Sequence, residues 1–130
     1  MKQILVVEDD THLLQALQLL LEYSDFTVVR AKDGQQAIEI VRSSPVDLVI
    51  SDIGMPNKDG LELLKQISTE YPSLKVIAMS GIATHADVCL KVAQQLGAVS
   101  TLKKPFSQAS LLALISESLG INSEPSANLT

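Results

Sequence analysis

"QILVVEDDTHLLQALQLLL", residues 3–21, changes its hydrophobic period at three consecutive carboxylates, Glu8, Asp9 and Asp10. Before these acids the chain is continuously apolar, which is typical of a parallel strand that is covered on both faces. After them, leucines recur at the spacing of a helix that buries one face. The stretch therefore predicts a strand followed directly by a helix, with acidic side chains at the junction.

The same alternation of strand and helix continues along the chain. Four more short apolar runs follow: "FTVVR" from residue 26, "VDLVIS" from 46, "LKVIAMS" from 74 and "AVSTL" from 98. The segments between them carry apolar residues at helical spacing, and Gly or Pro marks several of their ends. Right-handed crossovers then favour a doubly wound, flavodoxin-like (βα)5 fold with a parallel sheet in the order 2-1-3-4-5.

Composition limits the class of protein. The 130 residues, 46% of them hydrophobic, suit one domain with a sizeable core. We expect this domain to occupy residues 1–120, and the polar residues 121–130 to be a tail or the start of a linker. The apolar runs are too short to span a membrane and no signal-peptide pattern is present, so we expect a cytoplasmic protein without membrane contact. A net charge of −5 without clustered Lys or Arg argues against direct nucleic-acid binding by this domain.

The strand order predicts where ligands bind. In open α/β sheets they bind beyond the carboxyl ends of the strands at the switch point, here between strands 1 and 3. Asp52 ends strand 3, so Glu8, Asp9 and Asp52 should converge there, and such like charges repel unless a cation relieves them. Oxygen-only ligands favour Mg²⁺ over zinc. Asp10 we interpret instead as the cap of the first helix.

A hydroxyl and an ammonium should reach the same edge. Ser80 ends strand 4 and Lys104 follows strand 5. Each is a weak signal alone, because a serine before glycine usually belongs to a turn and a lysine is usually solvated. Together with the acids they suit a carboxylate that accepts a phosphoryl group: Asp52 would attack in line, Mg²⁺ and Lys104 would neutralise oxygens, and Ser80 would donate a hydrogen bond.

At this point the sequence resembles the receiver domain of two-component response regulators, in particular the chemotaxis type. The matching pieces are "ILVVEDD", "DLVISDIGMPNKDGLELL", "VIAMSG" and "LKKPF", and the likeness covers about residues 2–119. The resemblance implies that Asp52 is the phospho-acceptor. The donor would be a phosphohistidine of a sensor histidine kinase or of a histidine phosphotransfer protein, or a small acyl phosphate.

The resemblance also implies roles for the neighbouring residues. Asp9 would bind Mg²⁺ directly, Glu8 would act through water, and the backbone carbonyl of Gly54 would complete the ligands. Ser80 would be the hydroxyl switch residue, and Lys104 the phosphate-binding lysine with a cis bond to the next proline. Phosphorylation would change binding to a downstream protein target or to an attached output domain.

Three positions depart from the family pattern or bear on its kinetics. Thr101 stands where the family usually has Tyr or Phe, so we expect weaker coupling to the usual output face. Comparing beryllofluoride-induced shifts in helix 4 of the parent and of Thr101→Tyr tests this, and a full shift in the parent would contradict it. Gly54 and Ile82 stand where polar side chains tune hydrolysis, so we expect slow self-dephosphorylation; a phosphoryl lifetime of only seconds on the isolated protein would contradict this.

Two other functions remain as alternatives to a switch that only promotes its own phosphorylation and dephosphorylation. An aspartyl-phosphate hydrolase on a similar sheet would need Asp-x-Asp after strand 1, whereas this chain has Glu8 and Asp10 at that spacing. A pseudo-receiver that only binds a partner would usually lack the acid pair, the acceptor or the lysine, and this chain has all of them.

Overall fold

The computed structural model of the chain describes residues 1–54, 60–81 and 86–121, without the side chains of residues 86 and 87. The predicted tail beyond residue 121 and the Ile82 position therefore lie outside the described residues. Within the described ranges, no helix combines the length and the apolar character needed to cross a bilayer.

Strands and helices alternate, as the hydrophobic periods predict. The elements are β1 (Gln3–Val7), α1 (Thr11–Tyr23), β2 (Thr27–Ala31), α2 (Gly34–Ser43), β3 (Leu48–Asp52), α3 (Gly60–Glu70), β4 (Lys75–Ser80), α4 (Ala86–Gln95), β5 (Ser100–Lys103) and α5 (Gln108–Leu119). The five strands form one sheet in the order β2-β1-β3-β4-β5, and all neighbours pair in parallel. The predicted doubly wound fold is confirmed.

The sheet is buried on both faces, and β1 shows why its sequence is continuously apolar. Leu5 and Val7 pack with side chains from α2, α3 and α4, whereas Ile4 and Val6 pack with side chains from α1 and α5. Successive side chains of a strand point to opposite faces, so both sets must be apolar. Burying each such Val, Leu or Ile side chain stabilises the fold by roughly 1.5–3 kcal/mol.

The first helix begins where the acidic run predicts. Asp10 is its N-cap, and its Oδ1 accepts hydrogen bonds from the backbone N–H groups of His12 at 3.0 Å and Leu13 at 3.2 Å. The cap satisfies amide donors that the helix leaves unpaired. Asp10 is thereby committed to the fold, and the chain turns from β1 into α1 immediately beyond Glu8 and Asp9.

Candidate functional site

The predicted site residues lie together at the carboxyl edge of the sheet. Glu8 and Asp9 follow β1, Asp52 is the last residue of β3, Ser80 is the last residue of β4, and Lys104 follows β5. Parallel pairing aligns the ends of these strands. Residues up to 96 positions apart in sequence therefore meet, as in the contact between Lys104 and Glu8.

Three of these side chains form a carboxylate cluster. One oxygen from each of Glu8, Asp9 and Asp52 lies within 4.8 Å of the others. Glu8 is 1% exposed and Asp52 is 7% exposed, while Asp9 faces solvent. Oxygen donors in this number, with an open solvent side, fit a hydrated Mg²⁺ ion.

Gly54 contacts the same cluster through its backbone. Its N–H donates to Asp52 Oδ1 at 2.8 Å, which orients the carboxylate. The predicted role of the Gly54 carbonyl as a metal ligand stays a prediction.

Lys104 supplies the positive charge of the site. Its Nζ donates to Glu8 Oε1 at 2.9 Å and to Asp52 Oδ2 at 3.0 Å, so that one ammonium bridges two carboxylates. Burial by itself lowers the pKa of the Lys104 ammonium, but the hydrogen bonds to Glu8 and Asp52 outweigh it and the pKa lies above its ordinary value. Lys104 is therefore a fixed cation at neutral pH.

For Glu8, in contrast to Lys104, burial outweighs the hydrogen bonds and the charged form is disfavoured. Burial raises the pKa of its carboxyl from the ordinary 4.5 to about 7, with a smaller contribution in the same direction from the charge of Asp52. The hydrogen bonds from the Lys104 side chain and the Asp10 backbone lower this pKa without cancelling the effect of burial. A second cation at the cluster would favour the ionised form of Glu8.

Ser80 is the neutral member of the site. It is completely buried, and its Oγ has no hydrogen-bond partner among the described residues. Leaving a buried hydroxyl unpaired costs about 1–3 kcal/mol. Such a hydroxyl is suited to donate a hydrogen bond to an oxygen of a ligand at this edge of the sheet.

Two glycines that the sequence analysis did not single out support the site. A Cβ at Gly60 would collide with the backbone of Asp52 and Ile53, so this glycine lets the start of α3 pack directly on the end of β3. A Cβ at Gly81 would meet the side chain of Lys104. In the sequence, Gly60 is simply the last residue of "MPNKDG" and Gly81 the last residue of "AMSG". A glycine in such a place indicates a turn as readily as a close contact.

Of the neighbouring predictions, one is confirmed and one stays untested. The peptide bond between Lys104 and Pro105 is cis, as expected. Thr101 is half-buried in β5 beside Ala78 of β4, and the expected effect on output coupling stays a prediction.

Comparison with known proteins identifies the family of this chain. The response regulator receiver domain family matches residues 4–116. The chain belongs to this family. It is a receiver domain of the kind found in two-component response regulators, and receiver domains are signalling switches.

Individual relatives agree with this family. The receiver domain is 37% identical over 118 residues to the response regulator GtcR of Aneurinibacillus migulanus, covering 91% of this chain and 48% of GtcR. It is 37% identical over 125 residues to the transcriptional regulatory protein FixJ of Bradyrhizobium diazoefficiens, covering 95% of this chain and 59% of FixJ. The chain thus spans about half the length of these curated relatives.

Solved structures share the fold. A CheY-like receiver domain protein from Methanospirillum hungatei superposes with a TM-score of 0.84 at 29% identity, covering 92% of this chain and 94% of that one. The response regulator TrrA of Thermotoga maritima, solved in complex with Mg²⁺-BeF, gives a TM-score of 0.82 at 27% identity, covering 92% of this chain and all of the other, 100%.

Proposed function

We propose that this receiver domain is switched by phosphorylation of Asp52 in a reaction that requires Mg²⁺. The observation that supports this most directly is a group of side chains at one edge of the sheet. It consists of a carboxylate cluster within 4.8 Å, a bridging ammonium and a buried hydroxyl that has no partner within residues 1–54, 60–81 and 86–121. A divalent cation would neutralise the carboxylates, and a phosphoryl group would give the hydroxyl an acceptor and the ammonium further anionic oxygens.

The chemistry of the transfer assigns a role to each side chain. An Asp52 carboxylate oxygen forms a bond to phosphorus while the P–N bond of a phosphohistidine, or the P–O bond of an acyl phosphate, breaks. The electron pair leaves with the imidazole nitrogen or the carboxylate oxygen. Lys104 holds a positive charge beside the acceptor and neutralises a phosphoryl oxygen, while the Ser80 hydroxyl donates a hydrogen bond to another phosphoryl oxygen.

Magnesium fits the donors of this site. Glu8, Asp9 and Asp52 would hold it, with the Gly54 carbonyl as a further ligand, and the ion would supply charge neutralisation for the phosphoryl oxygens. The exposed position of Asp9 supports direct contact with a hydrated ion. One oxygen of Glu8 is already hydrogen-bonded to Lys104, which supports an indirect contact of Glu8 with the ion through a water molecule.

Phosphorylation would act as a switch because it gives the Ser80 hydroxyl an acceptor and offers Lys104 phosphoryl oxygens beside its present partners, Glu8 and Asp52. A phosphoryl group adds about one further negative charge and strong acceptor oxygens. Differential contacts of a few kcal/mol shift a two-state equilibrium by factors of tens to hundreds. The proposed input is a sensor histidine kinase or a histidine phosphotransfer protein, and the proposed output is a downstream protein or an attached domain.

Further parts of the proposal concern the chain as a whole. Residues 1–120 would form the receiver domain and 121–130 a tail or linker, and the family match over residues 4–116 supports this division. A cytoplasmic location follows from the proposed donors, because histidine kinases draw on cytoplasmic ATP. The domain would catalyse only its own phosphorylation and dephosphorylation.

Incubation with a small acyl phosphate tests the proposal. Intact-protein mass spectrometry should find one added phosphoryl group with Mg²⁺ and none after chelation with EDTA. Asp9→Asn should need roughly tenfold more Mg²⁺ for the same labelling, since one charged ligand is lost. A hydrolase would instead turn over a phosphate ester such as p-nitrophenyl phosphate, and such turnover would contradict the switch.

A further inference from the structure

Gly81, directly after β4, occupies a place where a side chain would not fit. A Cβ built there would lie 2.9 Å from Lys104 Cδ, 3.2 Å from Lys104 Cβ and 3.5 Å from Lys104 Cγ. Gly97 and Gly120 are the described glycines with positive φ, so the Gly81 backbone is one that alanine can adopt. The reason for a glycine at this position is therefore space and not backbone conformation.

The side chain of Lys104 is held at both ends across Gly81. At its base, the Lys104 backbone N–H donates to the Ser80 carbonyl at 2.8 Å, which fixes the start of the side chain beside the end of β4. At its tip, Nζ contacts Glu8 and Asp52. The aliphatic carbons between these two anchors are the atoms that a Cβ on Gly81 would meet.

An open cavity beside Gly81 offers the lysine another position. Its volume is about 470 Å³, and it is lined by Asp10, Leu13, Gly81, Lys104, Pro105 and Phe106. A Lys104 side chain displaced from Gly81 could enter this space, where the Asp10 side chain is already engaged in capping α1. The displaced ammonium would then no longer bridge Glu8 and Asp52.

We propose that Gly81 is the positioning residue for Lys104: its missing side chain lets the lysine lie across the end of β4 and reach both carboxylates. This inference rests on the proposed function, because Lys104 is the group that would contact the phosphoryl oxygens. Gly81 itself touches no reacting atom and acts only through Lys104.

The proposal predicts effects of opposite sign on two ligands. Lys104 occupies Glu8 Oε1 and Asp52 Oδ2, so it competes with a cation at those carboxylates. Displacing it by Gly81→Ala should strengthen binding of Mg²⁺ alone by about threefold or more, because a nearby positive charge is removed. The same change should weaken binding of beryllofluoride in saturating Mg²⁺ by roughly tenfold, because a charge-assisted hydrogen bond is lost. General destabilisation would not produce this pair of changes.

The experiment is a double-mutant cycle of Gly81→Ala and Lys104→Ala, with Mg²⁺ affinity measured from amide chemical shifts. Every variant retains the three carboxylates, so Mg²⁺ binding is measurable in all four proteins. We expect Gly81→Ala to raise the Mg²⁺ affinity in the parent and to leave it unchanged in the Lys104→Ala background. Gly120→Ala is the control, because its added Cβ has no atom within 4 Å and its φ of +70° makes the substitution strained far from the site.

Two results would overturn the proposal. One is an unchanged or lower Mg²⁺ affinity of folded Gly81→Ala, and the other is an equal rise with and without the Lys104 side chain. If Gly81→Ala does not give a folded amide spectrum, Gly81→Ala combined with Lys104→Ala must fold, since the contact with Lys104 Cδ at 2.9 Å is gone and only the contact with Cβ at 3.2 Å remains; failure of both also overturns it. Labelling of Asp52 does not enter the cycle, so failure of the proposed function would be seen separately.

Discussion

The charged side chains at the two edges of the sheet differ in their exposure and in their partners. At the amino edge, Asp47 Oδ2 accepts from the Gln3 N–H at 2.8 Å, and Lys75 Nζ donates to the Ser118 carbonyl at 2.8 Å. Both charged side chains there are exposed and each has a partner within the chain. At the carboxyl edge, the charged groups of Glu8 and Asp52 are buried, like charges lie close together, and the hydroxyl of Ser80 has no partner among the described residues.

This difference separates stability from function. The contacts of Asp47 and Lys75 at the amino edge tie parts of the fold together and need no ligand. The carboxyl edge concentrates groups whose burial costs free energy unless something binds to them. Matched substitutions at the two edges should therefore have different consequences: loss of stability at one, and loss of ligand response at the other.

The largest effect is expected for Asp52→Ala against Asp47→Ala. Without the acceptor carboxylate, labelling by an acyl phosphate should be abolished while the protein stays folded. Asp47→Ala should label at the parent rate and lose about 1 kcal/mol of unfolding free energy, because one hydrogen bond to Gln3 is removed. Mass spectrometry and urea unfolding measure the two quantities. Equal loss of labelling in both variants would contradict the proposed difference between the two edges.

The two lysines give the next contrast. Lys104→Met should weaken beryllofluoride affinity in saturating Mg²⁺ by at least roughly tenfold, because a charge-assisted hydrogen bond to the phosphoryl analogue is removed. Lys75→Met removes a contact to the end of α5 and should leave this affinity unchanged. Both affinities can be measured by following amide shifts during the titration, and similar losses in both variants would refute the assignment of Lys104.

Ser80 and Ser118 form a matched pair, because both are buried and neither hydroxyl has a hydrogen-bond partner in the described part of the chain. Ser80→Ala should change the unfolding free energy of the metal-free protein by no more than about 1 kcal/mol, since no hydrogen bond is removed. It should, however, reduce the spectral change that beryllofluoride produces in β4 and beyond. Ser118→Ala should preserve this change in full. An unaltered response in Ser80→Ala would argue against its role as the switch residue.

The smallest effect concerns pH. The folded-state pKa of Glu8, about 7, lies above its ordinary 4.5, so protonated Glu8 favours the folded state. The stability that this group contributes is present below about pH 4.5 and is lost as the pH rises through 7. Glu8→Gln should therefore flatten the decline in metal-free stability between pH 5 and 8, roughly the window set by these two pKa values. Unfolding by urea at several pH values measures it, and parallel curves for the two proteins would contradict the raised pKa.

Much of this edge could be predicted from the sequence because strand ends in a parallel sheet converge by topology alone. The alternation of five strand and helix patterns predicted the strand order, and that order placed Glu8, Asp9 and Asp52 together. The capping role of Asp10 also followed from local chemistry, because an acid before a helical pattern has amide donors within reach.

Other features depended on tertiary contacts that no local pattern encodes. The bridging of Glu8 and Asp52 by Lys104 requires the distances between three strand ends, and the pKa of Glu8 depends on how deeply the fold buries it. The importance of Gly81 becomes visible only when the Lys104 side chain is seen to lie against it. In the sequence it was simply the glycine after a serine.

Mapping the phosphorylated residue tests the central claim most directly. The protein is incubated with an acyl phosphate with and without Mg²⁺, reduced with borohydride to convert an aspartyl phosphate to homoserine, digested and sequenced by mass spectrometry. We predict homoserine at position 52 alone, and only in the sample that contained Mg²⁺. Modification of another carboxylate such as Asp9, or full modification of Asp52 without the metal, would contradict the account.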